Sequence, residues 1–292
     1  MKLGATSLSV TKPGSARQYA AVSGGSNTLP DIDTYSHVRF DNINTGTNQV
    51  YDVAIKPDGT KLFTLERITS TNARLKQQDL STAFDISTHG SITSSLDTNI
   101  FQTSGFTYGF TFGDNGNKLY LGNVLAEVCE IDLGSPWDLG QGRTVVQTVD
   151  VGSRTNGIFW KPDGTVFYFA DDSVNKITSK TVSTPWDLST ITSTGYSADL
   201  GLSANISEGA PFDLHISNDG LKIYIVGAIT DKIYQYNLST AWDITSVSGA
   251  ADKQLNVTLQ ETAPVGIDFS PDGTHMYIAG TNGDGVDQYA SS

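Results

Sequence analysis

Apolar and polar positions alternate in short runs throughout the chain. Phe212-Asp213-Leu214-His215-Ile216 alternates, then Asn218-Asp219-Gly220 turns the chain. Leu221-Lys222-Ile223-Tyr224-Ile225-Val226 follows, and Ile233-Tyr234-Gln235-Tyr236 is a third run. A looser stretch ends in Leu255-Asn256-Val257-Thr258-Leu259. Period-two runs bounded by Gly, Asn and Asp predict β-strands joined by hairpins. No segment keeps an apolar stripe at helical spacing for the ten or so residues a helix needs.

This unit repeats. Its turn recurs as Pro57-Asp58-Gly59-Thr60, Asp114-Asn115-Gly116-Asn117, Pro162-Asp163-Gly164-Thr165, Asn218-Asp219-Gly220-Leu221 and Pro271-Asp272-Gly273-Thr274. The glycines are 57, 48, 56 and 53 residues apart. A second mark keeps phase: Leu80-Ser81-Thr82-Ala83-Phe84-Asp85, then Trp137-Asp138, Trp186-Asp187 and Trp242-Asp243 at matching places. A period near fifty residues, each with four short strands, predicts an all-β propeller of five blades. The tryptophans are expected to pin blade corners as buried rings.

The fifth repeat stops at Ala290-Ser291-Ser292, before its fourth strand. Ser36-His37-Val38-Arg39-Phe40 stands unassigned upstream of the first repeat. The five-bladed β-propeller is therefore expected to be closed by an N-terminal strand, which removes exposed sheet edges. Residues 1–30 lie outside the repeats and predict an N-terminal extended arm for docking or assembly, ahead of a propeller over 31–292.

Composition narrows the partners. The net charge is −13, from 31 acidic against 18 basic residues. It disfavours nucleic acid and anionic membrane. The single cysteine, Cys129, allows no internal disulfide and reads as a small strand residue. After Met1-Lys2-Leu3 there is no apolar run of a signal peptide, so synthesis in a cytoplasm without a signal peptide is expected.

The search for chemistry yields little. His37, His89, His215 and His275 share no ligand spacing, and there is no Cys pair, so no metal is expected. There is no Gly-x-Ser-x-Gly elbow and no phosphate-cradling loop, so no cofactor is expected. Asn282-Gly283-Asp284-Gly285-Val286-Asp287 suggests a calcium loop but lacks the alternating acids and closing glutamate. It predicts a hairpin turn. The innermost strands begin at equivalent residues, which should rim one mouth of the central channel. Tyr51, Asp52, Tyr108, Asn156, Phe212 and Asp213 are the candidate channel-mouth residues, with Glu208 just before the fourth set. Acids and rings together could hold a sugar or a cation.

The Pro-Asp-Gly-Thr turns resemble those of lactonase-like propellers. The longer unit with Leu238-Ser239-Thr240-Ala241-Trp242-Asp243-Ile244 is similar to repeats in tailed-bacteriophage virion proteins and in large surface proteins of marine bacteria. The resemblance covers about residues 36–289. It implies a non-enzymatic structural component of a bacteriophage particle, located in the virion. Such a component would be docked on other virion proteins through residues 1–30, as part of an oligomeric assembly, and would contact a host-surface glycan or receptor. The alternative is a propeller enzyme, a lactonase or glycosidase, with its site at the channel mouth. Converging acids and histidines in the channel would mark the enzyme.

Overall fold

The computed structural model describes residues 28–43, 49–100, 105–192, 196–198, 210–247 and 249–292. Strand β1 (Tyr35–Asp41) comes first. Blade 1 is β2 (Val50–Ile55), β3 (Lys61–Arg67), β4 (Ala73–Leu80) and β5 (His89–Asp97). Blade 2 is β6 (Thr107–Gly113), β7 (Lys118–Asn123), β8 (Glu127–Asp132) and β9 (Thr144–Asp150). Blade 3 is β10 (Ile158–Trp160), β11 (Val166–Asp171), β12 (Lys176–Thr181) and β13 (Tyr196–Ala198). Blade 4 is β14 (Pro211–Ile216), β15 (Lys222–Gly227), β16 (Lys232–Asn237) and β17 (Lys253–Asn256). Blade 5 is β18 (Pro264–Phe269), β19 (His275–Gly280) and β20 (Val286–Ser291), completed by β1.

The predicted closure is present. β1 pairs antiparallel with β20 from Tyr35↔Ser291 to Asp41↔Val286, with a bulge between His37 and Arg39. The arm expected over residues 1–30 lies outside the described residues up to residue 27. Thr28, Leu29 and Pro30 are described, and Leu29 packs with Ile32, Tyr35 and Tyr224 in the core between blades 4 and 5. The apolar core is divided among five such layers, one between each pair of neighbouring blades.

The two repeat marks stay in phase because they touch. The amide of each corner aromatic donates to the carbonyl of its own blade's turn glycine: Phe84 to Gly59, Trp137 to Gly116, Trp186 to Gly164 and Trp242 to Gly220. The ring then lies on that glycine. A β-carbon at Gly164 would sit 2.4 Å from the Trp186 indole, and Gly164 has φ +73°. Space and backbone both demand glycine there. In blade 5, where the corner is missing, Pro30 and Leu29 cover Gly273 instead.

A second set of contacts runs between blades. Tyr120, Tyr168, Tyr224 and Tyr277 occupy one position on the second strands. Their hydroxyls donate to the carbonyls of Trp186, Trp242, Pro30 and Phe84 at 2.6, 2.6, 2.9 and 2.7 Å. Each clamps its blade to the corner of the next. Third-strand side chains add to this: Gln77 accepts from Leu139 N, Glu130 from Leu188 N, Gln235 from Ile32 N and Gln288 from Ile86 N. On the second strand of blade 1 the tyrosine position is Phe63, which has no hydroxyl to donate.

Candidate functional site

The innermost strands of blades 1, 2, 4 and 5 share an irregularity. The register shifts across Tyr51, Tyr108, Phe212 and Val265, so each is a bulge residue. A bulge re-aims a side chain. Tyr51, Tyr108 and Phe212 meet over the channel, with centroids 5.3 Å apart for Tyr51–Tyr108 and 5.6 Å for Tyr108–Phe212. Phe106 joins them, 5.0 Å from Tyr51 and 5.1 Å from Tyr108. Blades 2 and 4 are not neighbours, so these rings close the predicted mouth across the ring axis. Asn156 occupies the same position in blade 3 and is buried with neither side-chain polar atom bonded. Glu208 lies outside the described residues.

One layer deeper the positions read Asp52, Gly109, Gly157, Asp213 and Gly266. The glycines make room for the two acids: a β-carbon at Gly157 would lie 1.9 Å from an Asp213 carboxyl oxygen, and one at Gly266 would lie 3.1 Å from that of Asp52. Asp52 accepts from Val53 N at 2.7 Å and, in the next blade, from Phe110 N at 2.8 Å. Asp213 likewise accepts from Leu214 N and, in the next blade, from Ile267 N, both at 2.8 Å. The two carboxyls come from blades that are not neighbours, and both line one cavity on the axis. Desolvation raises Asp213 to about 8, against the pull of its two backbone donors. Asp52 is raised well above the usual carboxylate range, first by burial and then by the charge of Asp213. The pair therefore holds protons at a pH where isolated carboxyls are ionised.

Two residues further along each strand, alternation returns to the axis with Ala54, Thr111, Phe159, His215 and Asp268. All five line a cavity that also reaches Asp52 and Asp213. Its free space is about 50 Å³, room for roughly three to five waters at 10–15 Å³ each. Ile55, Pro57, Phe269 and Pro271 stand at its far end, opposite the aromatic closure. His215 packs between Phe159 and Phe269, with centroids at 5.1 and 4.9 Å. Its Nδ1 lies 3.4 Å from an Asp268 oxygen, and the other Asp268 oxygen accepts from Ile55 N at 2.8 Å.

Of the six predicted mouth residues, only Asp52 and Asp213 reach this cavity. The structure adds His215 and Asp268. Both were within reach of the sequence: adding two to the aligned Asp52 layer selects them. The segment from Asn282 to Asp287 is the hairpin turn predicted for it, with Asn282 N and Gly283 N donating to the Glu261 carboxylate. Among the described residues no cluster of three or more His, Cys, Asp or Glu is placed to hold a metal ion.

No protein-family model matches the chain, and no curated protein sequence does. Solved structures do. Luciferin-regenerating enzyme is similar over 88% of this chain and 95% of its own, at TM-score 0.56 and 11% identity. A candidate 6-phosphogluconolactonase of Bacteroides uniformis is similar over 82% of this chain and 66% of its own, at TM-score 0.46 and 13% identity. One of Bacteroides fragilis is similar over 76% and 59%, at TM-score 0.45 and 16% identity. The chain spans two-thirds or less of the length of these last two. The likeness is one of fold. The expectation of a non-enzymatic chain is nevertheless corrected: luciferin-regenerating enzyme, an enzyme by name, shares the fold, and the channel brings together acids and a histidine.

Proposed function

We propose that this chain is a propeller hydrolase that cleaves small esters or lactones at the axial cavity of its central channel. The observation that carries the reading is the His215–Asp268 pair set beside the buried Asp52 and Asp213 carboxyls in one cavity. Asp268 holds the imidazole through Nδ1, leaving Nε2 to take a proton from water. The water oxygen bonds to the acyl carbon, and the acyl carbon–oxygen bond breaks. The carboxyl pair supplies the proton that the departing alkoxide needs. Luciferin-regenerating enzyme, which shares the fold, supports an enzymatic reading in general terms.

The glycosidase alternative fits less well. Glycosidase carboxyls flank a sugar ring with room for it between them, whereas Asp52 and Asp213 are both buried in a cavity of about 50 Å³. The enclosed space holds waters rather than a sugar ring, so a substrate presents only its reacting end.

The test is hydrolysis of p-nitrophenyl acetate and γ-butyrolactone by the parent chain and by His215→Asn. The parent should turn over at least one. The variant should lose about 10²–10⁴-fold in kcat/KM, the usual share of a general base, while melting as the parent does. Equal rates in the two proteins, or no turnover by the parent, defeat the proposal.

A further inference from the structure

On the face of the ring that the aromatics close, the β3–β4 hairpin of blade 1 and the β19–β20 hairpin of blade 5 border a groove. Its volume, about 470 Å³, falls in the range of small-molecule sites. Gln49 forms the floor and joins the two walls: its Nε2 donates to Thr281 O at 3.4 Å, and its Oε1 accepts from Arg67 at 3.1 Å and from the Tyr51 hydroxyl at 3.2 Å.

The walls carry opposite charges. Arg67 stands on the blade 1 side, its guanidinium 5.9 Å from the Phe106 ring centroid and steadied by Thr69 O at 3.3 Å. Asp284 stands on the blade 5 side, at the left-handed tip of its hairpin with φ +56°. Both are half-buried. Among the described residues neither has an ion-pair partner, and they do not pair with each other. Thr69, Ser70 and Thr281 supply hydroxyls between them.

An unpaired guanidinium facing an unpaired carboxylate across a polar groove suits a ligand carrying both charges in reverse. We propose that this groove binds a small zwitterion of the α-amino acid type, its carboxylate on Arg67 and its ammonium toward Asp284. The planar guanidinium suits a carboxylate through two parallel donors. A lone anion would meet Asp284, and a lone cation would meet Arg67, so each charge of the ligand excludes the singly charged competitor. The site lies on the face opposite the hydrolytic cavity and does not depend on that activity.

The experiment is ligand-observed NMR titration of the full chain with L-serine, lactate and ethanolamine. Lactate lacks the ammonium and ethanolamine lacks the carboxylate. Serine should bind at least about ten-fold tighter than either, the loss of roughly one charged contact. Arg67→Gln should weaken serine by about ten-fold and leave ethanolamine unchanged or improved. Asp284→Asn should weaken serine and leave lactate unchanged or improved. Lactate binding as tightly as serine, equal serine binding by parent and Arg67→Gln, or no serine binding by the parent overturns the proposal.

Discussion

Four tyrosine hydroxyls tie blade to blade, and the fifth position holds Phe63. Phe63 is fully buried against Phe112 and Trp137, whose rings lie 4.6 and 6.3 Å away. By analogy with the other blades, a hydroxyl there would meet the Trp137 carbonyl. Phe63→Tyr is therefore expected to stabilise the ring by about 1 kcal/mol, the net worth of one satisfied hydrogen bond. A rise in the urea midpoint at unchanged slope is the signal. A fall would mean that the seam between blades 1 and 2 is packed unlike the other four. Legibility at this scale follows locality. The turn glycines and corner aromatics could be read because each pair meets within one repeat. The aromatic closure of the mouth could not, since Tyr51, Tyr108 and Phe212 meet only through side-chain directions set by bulges in three separate blades.

Among the elements, β1 has the most at stake. The missing fourth strand of the last repeat made its place readable, and the register with β20 agrees. What the repeats did not reveal is that Leu29 and Pro30 replace the corner of blade 5, because no marker residue recurs there. A chain beginning at Asn42 loses buried Leu29, Ile32 and Tyr35. At roughly 1.5–3 kcal/mol each, these sum to about 4.5–9 kcal/mol, comparable with the whole stability of many domains. Such a chain should be unfolded or associated through the bared β20 edge at 25 °C, as read by circular dichroism and light scattering. A monomer melting at the parent temperature would sink this account of closure.

For the whole molecule the axis matters most. Asp52 links blades 1 and 2, Asp213 links blades 4 and 5, and the two buried carboxyls line one cavity on the axis. Both carboxyls hold protons more tightly folded than unfolded, where the value is about 3.9. Their stabilisation is complete below that value and is lost as pH rises through their raised values, about 8 for Asp213. Asp287, raised to about 6 chiefly by burial, acts in the same direction. The melting temperature should therefore fall between pH 6 and pH 9. Asp52→Asn cannot ionise, so its fall over that interval should be shallower, whatever its absolute stability. A parallel fall in both proteins would show that the axial pair does not titrate there.

The closing pair of strands also settles how the ring answers to force. Tyr35 lies opposite Ser291, so the two chain ends leave β1 and β20 at the same end of the ladder. Tension applied between the termini would load that one residue pair and then the next, peeling the strands apart in sequence. A sheet gripped at opposite ends must break its bonds together. This hoop, covalently continuous everywhere else, has a mechanical latch that opens from a single corner.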